Sequence, residues 1–226
     1  MITSSLTQRL RECEGIRIDT DAAFADLTTL RLGGRPRAVL RCATTPAIVE
    51  AVRLLDAADH PLLILGGGSN LVIADGDLDL TAVRLENNWV DFHPDGRVTI
   101  GAGAVWDEVV AAAVTRGYGG IECLSGIPGS AGATPVQNVG AYGTEIADVL
   151  TRVKLYERAT GQVHWVEAGD LDLAYRYSNL KFTDRAVVLE VELQLSVDGL
   201  SAPLRFGALS GVAGERRPVA EVRADV

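Results

Sequence analysis

Three consecutive glycines that follow an apolar run could form an anion-binding turn. Residues 66–70 read Gly-Gly-Gly-Ser-Asn and come directly after the apolar residues 61–65. Glycines allow the backbone to turn sharply and to point several N–H groups into one concavity, which suits a phosphate group. Ser69 and Asn70 add side-chain donors beside it. The segment therefore predicts either a phosphate-binding loop or a tight hairpin turn between two strands.

Two common nucleotide-binding motifs are excluded at this position. A dinucleotide-binding GxGxxG motif needs glycine at position 71, which is Leu71. It also needs a helix after the glycines, whereas residues 71–74 are apolar and strand-like. A P-loop needs Gly-Lys-Ser or Gly-Lys-Thr, and neither follows.

A long segment without charge forms the second candidate region. Between Glu122 and Glu145 no side chain is charged, and glycines and prolines recur throughout. Loops usually lie on the surface and are polar, so this segment must pack against something that satisfies its backbone. A flat, partly apolar ligand with a diphosphate would do so, and Ser130, Gln137 and Asn138 could orient its heteroaromatic ring. The alternative is a loop buried beneath its own protein.

Three blocks of sequence stand out along the chain: GGGSN at 66–70, IPGSAGATPVQNVGAYG at 127–143 and AYRYSNLKF at 174–182. Together and in this order, they resemble the UDP-N-acetylenolpyruvoylglucosamine reductase family. The match extends from about Thr28 to Leu195. The resemblance implies an α+β, two-lobed FAD-binding fold of the vanillyl-alcohol-oxidase (PCMH) type. We expect an N-terminal lobe at 1–81 and a second lobe at 82–226.

The resemblance also implies which residues bind the cofactor. Residues 66–70 would hold the FAD diphosphate, and residues 127–142 would line the diphosphate and the isoalloxazine. The implied cofactor-binding residues are Leu65, Gly66, Gly67, Gly68, Ser69, Asn70, Ile127, Pro128, Gly129, Ser130, Gly132, Ala133, Gln137, Asn138, Gly140 and Ala141.

The reaction implied by the resemblance uses NADPH to reduce the enolpyruvyl double bond of a UDP-linked sugar through FAD, which gives UDP-N-acetylmuramate. Hydride addition builds negative charge beside the substrate carboxylate, and a fixed cation stabilises that charge. Arg176 matches the catalytic arginine and also binds substrate, since a guanidinium holds a carboxylate bidentately. Tyr142 and Lys181 would contact substrate. Without the resemblance, these three residues would be interpreted as a surface arginine, a packed loop aromatic and a solvated lysine.

The sequence also departs from the family pattern. The GSFFKNP-like motif that carries the family's proton donor is absent, as is a glutamate near the family's C-terminus. Ser178, Ser196 and Ser210 do not lie in that context. We therefore expect the C-terminal substrate domain to be absent and the activity of this chain to be impaired. Two alternatives are another oxidoreductase of the same flavin fold and a non-catalytic flavin-binding module.

Composition excludes several other classes. The 226 residues carry a formal net charge of −9, which argues against an extended nucleic-acid surface. No stretch reaches the ~18 apolar residues of a membrane helix, and the N-terminus lacks a secretory apolar core. The three cysteines and three histidines are scattered, so neither a disulfide framework nor a metal site is expected. We expect a cytoplasmic monomer that contacts neither membrane nor nucleic acid.

The elements that must position these residues follow from periodicity and turn signals. Thr45 as N-cap and Pro46 predict a helix to about Ala58, and residues 75–79 predict a turn. Further predicted helices lie at 6–14, 106–116 and 170–175, with a helix and loop at 207–226. Predicted strands lie at 37–42, 61–65, 71–74, 81–85, 89–93, 97–101, 151–158, 162–166 and 186–196.

Overall fold

The computed structural model describes residues 4–205, 209, 212 and 214–226, and its first lobe is built on a four-stranded sheet. The elements of this lobe are α1 (Ser4–Glu12), β1 (Ile16–Asp19), β2 (Arg35–Cys42), α2 (Thr45–Asp56), β3 (Leu62–Leu65) and β4 (Asp77–Leu85). The strand order is β1-β2-β4-β3. β1 is antiparallel to β2, whereas β2 and β3 are both parallel to β4.

Helix α2 begins one residue before the predicted position. Thr44 is the N-cap: its backbone is extended, and its hydroxyl accepts a hydrogen bond from the Ala47 N–H at 3.2 Å. The prediction of Thr45 as the cap is therefore wrong, because Thr45 is already helical and its hydroxyl donates to Glu190 at 3.1 Å. The apolar face of α2 packs on Leu40 and Val83 of the sheet.

The segment after the glycines differs from its predicted structure. Residues 71–74 form no strand, and the side chains of Leu71 and Ile73 instead pack in a cluster around Phe24. Apolar alternation here reflects that packing rather than strand pairing. The predicted turn at 75–79 is shorter, because β4 already pairs with β2 from Asp77. Position 81, where the predicted lobes meet, lies inside β4, so the two sheets divide after Leu85.

The second lobe contains a five-stranded antiparallel sheet. Its elements are β5 (Val90–Phe92), β6 (Arg97–Gly101), α3 (Trp106–Thr115), α4 (Ala133–Gln137), β7 (Gly140–Ala141), β8 (Thr144–Glu145), β9 (Leu150–Glu157), β10 (Gln162–Glu167), β11 (Ala186–Gln194) and α5 (Val219–Asp225). The large sheet has the order β10-β9-β11-β6-β5, and β7 and β8 form a separate hairpin. Within the described part of the chain, 3-10 turns lie at Phe24–Asp26 in the first lobe and at Glu122–Leu124, Ile146–Asp148 and Ala168–Leu171 in the second.

The second lobe has its own core between α3 and the inner face of the sheet. Trp106 and Val110 of α3 meet Ile100, Val153 and Val191, all fully buried. This burial fixes α3, whose first turn lies beside the candidate site.

Most remaining predictions are confirmed to within a few residues, which supports the predicted α+β class. The helix predicted at 170–175 is instead the 3-10 turn Ala168–Leu171, and Asp172, whose φ is 50°, ends it. Of the predicted segment 207–226, residues 219–225 form α5, while Gly207 and Ser210 lie outside the described residues. Within the described ranges, no helix is long and apolar enough to cross a membrane.

Candidate functional site

A cavity of about 590 Å³ lies where the two candidate regions meet. This volume falls in the range typical of small-molecule sites. Its lining comes from β3, from residues 66–71, from residues 127–139 and from β11. We call residues 66–70 the glycine loop, residues 123–144 the neutral segment and residues 174–182 the arginine segment.

The glycine loop and the neutral segment approach each other at backbone distance. A Cβ built on Gly67 would lie 2.7 Å from the Gly129 Cα, and one on Gly66 would collide with the Ser130 hydroxyl. Gly68 has a φ of 66°, and a side chain there would meet the Leu27 carbonyl. These close contacts leave no room for a side chain at any of the three positions, so glycine is required at each. A simple hairpin turn would not need three consecutive glycines.

The loop also presents free backbone donors to the cavity. Among the described residues, no acceptor receives a hydrogen bond from the N–H groups of 67–70 or from those of Gly129 and Ser130. The Ser69 hydroxyl donates to the Pro128 carbonyl at 3.1 Å and so joins the two segments. Unpaired N–H groups from residues that line one cavity suit an anion such as a diphosphate.

The rest of the lining is largely apolar. Leu62, Ile64 and Leu85 come from the first sheet, and Val187 and Val188 come from β11. Trp106 also lines the cavity, and its indole N–H donates to the Leu124 carbonyl at 3.1 Å. An apolar wall beside an anion-binding turn suits a flat aromatic ring joined to a diphosphate.

The charged residues of the cavity lining are Arg158, directly after β9, and Asp184, shortly before β11. Arg158 donates to both oxygens of Asp56, at 2.6 and 3.1 Å, and to the Asp184 carbonyl oxygen at 3.0 Å. The Asp56 carboxylate balances the positive charge of Arg158, and its hydrogen bonds raise the pKa of the guanidinium. The sequence did not identify Arg158, Thr183 and Asp184 as site residues. The only available signal is that Thr183 and Asp184 directly follow residues 174–182.

Most predicted cofactor residues line this cavity. They are Gly66, Gly67, Gly68, Ser69, Asn70, Ile127, Pro128, Gly129, Ser130, Gly132, Ala133 and Gln137. Leu65, Asn138, Gly140 and Ala141 are outside the lining. Leu65 is fully buried in the core around Phe24, on the other face of the sheet. Lining a cavity is not contact with a ligand, so these roles stay predictions.

Asn138 has its side chain fully engaged by the protein. Its φ is 41°, its amide donates to Glu145 at 2.8 Å and to the Ala174 carbonyl at 2.9 Å, and its oxygen accepts from the Ala147 N–H at 3.1 Å. Asn tolerates this left-handed conformation better than most residues. Asn138 therefore connects the neutral segment to the arginine segment.

Two further contacts complete this connection. Arg176 donates from Nη2 to the Gly140 carbonyl at 2.6 Å, and the buried Ser178 hydroxyl donates to the Val136 carbonyl at 2.8 Å. Together with Asn138 and Ala174, they form a ladder of three hydrogen bonds between the two segments. A Cβ on Gly140 would lie only 3.1 Å from the Arg176 Nη1, so glycine allows the guanidinium to approach.

Arg176 is held in an unusual state. Its φ is 53°, and its Nη1 is buried without a hydrogen-bond partner among the described residues. An orphaned, buried, charged donor is costly unless a ligand satisfies it. A backbone conformation of this kind often marks a functional site. Arg176 can thus receive an anionic group.

Lys181 and Tyr142 are the other two predicted substrate-binding residues. The Lys181 ammonium donates to the Arg176 carbonyl at 2.8 Å, so it stabilises the left-handed backbone there. Tyr142, whose φ is 51°, follows the β7 strand with 36% of its surface exposed. Their predicted substrate contacts stay predictions.

The carboxyl group at the start of the neutral segment is buried. Glu122 is 1% exposed and accepts a hydrogen bond from the Gly120 N–H at 2.6 Å. Burial raises the pKa of this carboxyl group, although the backbone hydrogen bonds oppose the shift. Glu122 therefore anchors the segment rather than serving as an exposed catalytic acid.

A flavin-binding fold is the class that this sheet arrangement and cavity define. The family model described as "FAD binding domain" matches residues 36–167, and the chain belongs to that family, with FAD as its cofactor. The structure fits this cofactor, since unpaired N–H groups lie beside an apolar wall and the three glycines of the glycine loop leave no room for a Cβ. The predicted fold and cofactor are therefore confirmed.

Named relatives are more specific. The chain is 62% identical over 99% of its length to "UDP-N-acetylenolpyruvoylglucosamine reductase" of Corynebacterium glutamicum (strain R), and it covers 63% of that protein. It is 53% identical over 88% of its length to the protein of the same name in Mycobacterium marinum, and it covers 57% of that relative. The chain thus spans about three fifths of their length. The resemblance predicted from the motifs is confirmed.

Solved structures agree. The reductase from Thermus caldophilus matches with a TM-score of 0.67 and 25% identity, over 93% of this chain and 66% of that one. The 6-hydroxy-D-nicotine oxidase from Arthrobacter nicotinovorans matches with a TM-score of 0.64 and 23% identity, over 81% of this chain and 42% of that one. The second likeness concerns the fold alone.

Proposed function

We propose that this chain acts in the NADPH-dependent reduction of UDP-N-acetylenolpyruvoylglucosamine to UDP-N-acetylmuramate, a step of peptidoglycan synthesis. The observation that carries the proposal is the buried Nη1 of Arg176, which has no hydrogen-bond partner in the described part of the chain. Arg176 lies on a segment joined by three hydrogen bonds to the one that lines the FAD cavity. The names of the close relatives supply the substrate.

In this proposal bound FAD would supply hydride transfer from NADPH to the enolpyruvyl group, and a proton taken up from solvent would complete the product, because the family's proton-donor motif is absent from this sequence. The N–H groups of the glycine loop, with those of Gly129 and Ser130, would hold the diphosphate, and the apolar wall would shield the ring from water. Each N–H group is already oriented by the close contact of the two loops, so little reorganisation accompanies binding.

Arg176 binds the substrate carboxylate in this proposal. Its Nη2 is fixed by the Gly140 carbonyl, which leaves Nη1 to meet the anion. Negative charge that develops beside the carboxylate is stabilised by the positive charge of the guanidinium. The Lys181 bond to the Arg176 carbonyl holds the backbone in place while the side chain acts. Tyr142 contacts the substrate in this proposal, as the family resemblance implies.

We further propose that the two lobes act as one unit, in the cytoplasm and as a monomer without nucleic-acid partners. The net charge of −9 supports the last point, because phosphate backbones would be repelled. Sedimentation of the purified chain with and without duplex DNA tests both the oligomeric state and this absence.

The function is tested by rapid-mixing absorbance of the FAD-loaded chain under anaerobic conditions. We expect NADPH to bleach the flavin and the enolpyruvyl nucleotide to restore it. Arg176→Lys should leave the bleaching intact and slow the restoration by about 10²-fold, the scale on which a lost charge stabiliser acts. Arg37→Lys, an exposed control in β2 that pairs with Asp79 and lies outside the cavity lining, should change neither phase.

Two results would contradict the proposal. Flavin that binds but stays oxidised with NADPH favours a non-catalytic flavin module. Bleaching without recovery on adding the enolpyruvyl nucleotide, but with recovery on another acceptor, indicates a different oxidoreductase of the same fold.

A further inference from the structure

The first turn of α3 holds the part of the neutral segment that lines the cavity. The Trp106 N–H donates to the Gly129 carbonyl at 3.1 Å, and the Ala131 N–H donates to the Ala104 carbonyl at 2.8 Å. The start of this stretch is held by a side chain instead, since the Gly126 N–H donates to the Asp107 carboxylate at 2.8 Å. Asp107 therefore fixes the residue just before the lining begins.

Asp107 is in turn fixed by the C-terminal helix. Arg223 of α5 donates to both carboxylate oxygens, at 2.8 and 2.9 Å, and to the Ser125 hydroxyl at 2.9 Å. Bidentate pairing of this kind constrains both position and orientation. The Arg223 guanidinium also lowers the pKa of Asp107, which keeps the carboxyl group ionised as an acceptor.

Helix α5 is firmly placed against the same region. Val219 and Val222 are buried, and Val222 packs with Cys123 and Leu204 beneath the Glu122–Leu124 turn. Helix α5 therefore contacts the neutral segment in two ways. One is the apolar contact under the Glu122–Leu124 turn, and the other is the chain of hydrogen bonds from Arg223 through Asp107 to the Gly126 N–H, which we call the clasp.

Gly126 is the point at which the clasp acts. Its φ is 72°, and a Cβ there would meet nothing within 4 Å, so only its backbone orientation is constrained. Ile127, Pro128 and Gly129 follow at once and line the cavity. The direction in which the segment leaves Gly126 sets where the N–H groups of Gly129 and Ser130 point.

We infer that Arg223 is a positioning residue for FAD binding, acting through the Asp107 carboxylate on the Gly126 N–H. The inference rests on FAD occupying the cavity, as the family membership states, and does not depend on the proposed substrate. With the clasp in place, residues 126–130 are ordered before FAD binds. Without it, part of the free energy of FAD binding is spent on ordering these residues, so FAD binds more weakly.

The test measures the FAD dissociation constant by fluorescence titration, and amide exchange of the apoprotein by mass spectrometry. We expect Arg223→Ala and Asp107→Ala each to weaken FAD binding by roughly 5- to 10-fold, the effect of losing one charge-assisted contact in part. The double variant should be no weaker than Asp107→Ala, because both act along one route. Amide exchange should accelerate at residues 126–130 and not elsewhere.

Arg216→Ala is the matched control. Arg216 also lies in the C-terminal part, and it pairs with Asp198 at 2.8 Å and with the Ser201 carbonyl at 2.8 Å, without touching the neutral segment. We expect its FAD affinity to equal that of the parent chain. Where Arg223→Ala is too unstable to measure, Arg223→Lys and Asp107→Asn keep the fold and weaken the clasp.

Two outcomes would overturn the inference. One is unchanged FAD affinity in the Arg223 and Asp107 variants, and the other is an equal loss in Arg216→Ala, which would mark a general stability effect. A parent chain that binds FAD but fails with the enolpyruvyl nucleotide would refute the proposed function and leave this inference intact.

Discussion

Replacing Gly67 with alanine should abolish most FAD affinity through a purely steric effect. The new Cβ would lie 2.7 Å from the Gly129 Cα and 2.8 Å from the Gly129 carbonyl carbon. Both partners are backbone atoms, so reaching the 3.4 Å of an ordinary contact requires the two loops to separate by about 0.7 Å. A hydrogen bond stretched by that amount from ~2.9 Å is lost.

The magnitude follows from the number of contacts affected. If two N–H bonds to the diphosphate are lost, at about 1.5–3 kcal/mol each, the loss is about 3–6 kcal/mol. That corresponds to a dissociation constant about 10²- to 10⁴-fold higher. Equilibrium titration of the apoprotein with FAD, followed by flavin fluorescence, measures it directly.

Gly169→Ala is the matched control, because a Cβ there meets nothing within 4 Å and the residue has no positive φ. Its FAD affinity should match that of the parent chain. A Gly67→Ala protein that folds and binds FAD within threefold of the parent would refute the steric reasoning, since the loops would then have separated without losing donors.

Three further predictions concern folding and reactivity. Asn138→Ala should lower the free energy of unfolding by about 2–4 kcal/mol in urea denaturation, because the bonds to Glu145 and Ala174 are lost. Glu122→Gln should flatten the pH dependence of stability. Because the pKa of Glu122 is raised in the folded state, the parent chain loses stability as the pH rises from the ordinary carboxyl pKa through the higher folded pKa. The glutamine amide does not titrate, so the variant should not show this loss. Thermal melts from pH 4 to 8 check this, and an unchanged slope would contradict it. Burial raises the pKa of the Cys42 thiol to about 12, which suppresses its reactive thiolate form. A thiol reagent should therefore label the partly exposed Cys13 first and Cys42 only on unfolding. Simultaneous labelling of the two cysteines would refute this prediction.

The sequence identified the parts of the site whose residue types are unusual. Consecutive glycines and a long uncharged stretch have few other physical explanations, and both line the cavity. Residues 71–74 were misjudged because their apolar alternation is equally compatible with packing on a neighbouring cluster, and only tertiary contacts separate these cases.

Other parts of the site could not be predicted from local sequence patterns, because they depend on contacts between distant segments. Asn138 was assigned to the flavin because a neutral amide in such a segment looks like a ligand donor. Its partners at Glu145 and Ala174 are fixed by chain folding. Arg158 and Asp184 come together from separate segments, and Arg223 reaches Asp107 across 116 positions of sequence. Pairs of this kind carry no local pattern.

The ladder of hydrogen bonds between the neutral and arginine segments couples the lining of the cavity to the position of Arg176. Val136 lines the cavity, and its carbonyl accepts the hydrogen bond from the Ser178 hydroxyl. A small molecule that entered the cavity and pushed Val136 outward would break that bond and shift the backbone that carries the guanidinium. Inhibition of this kind would be competitive with FAD, yet it would first appear as a loss of anion binding at Arg176. Screening for ligands of the apoprotein is therefore a route to disabling the arginine without a compound that resembles the nucleotide substrate.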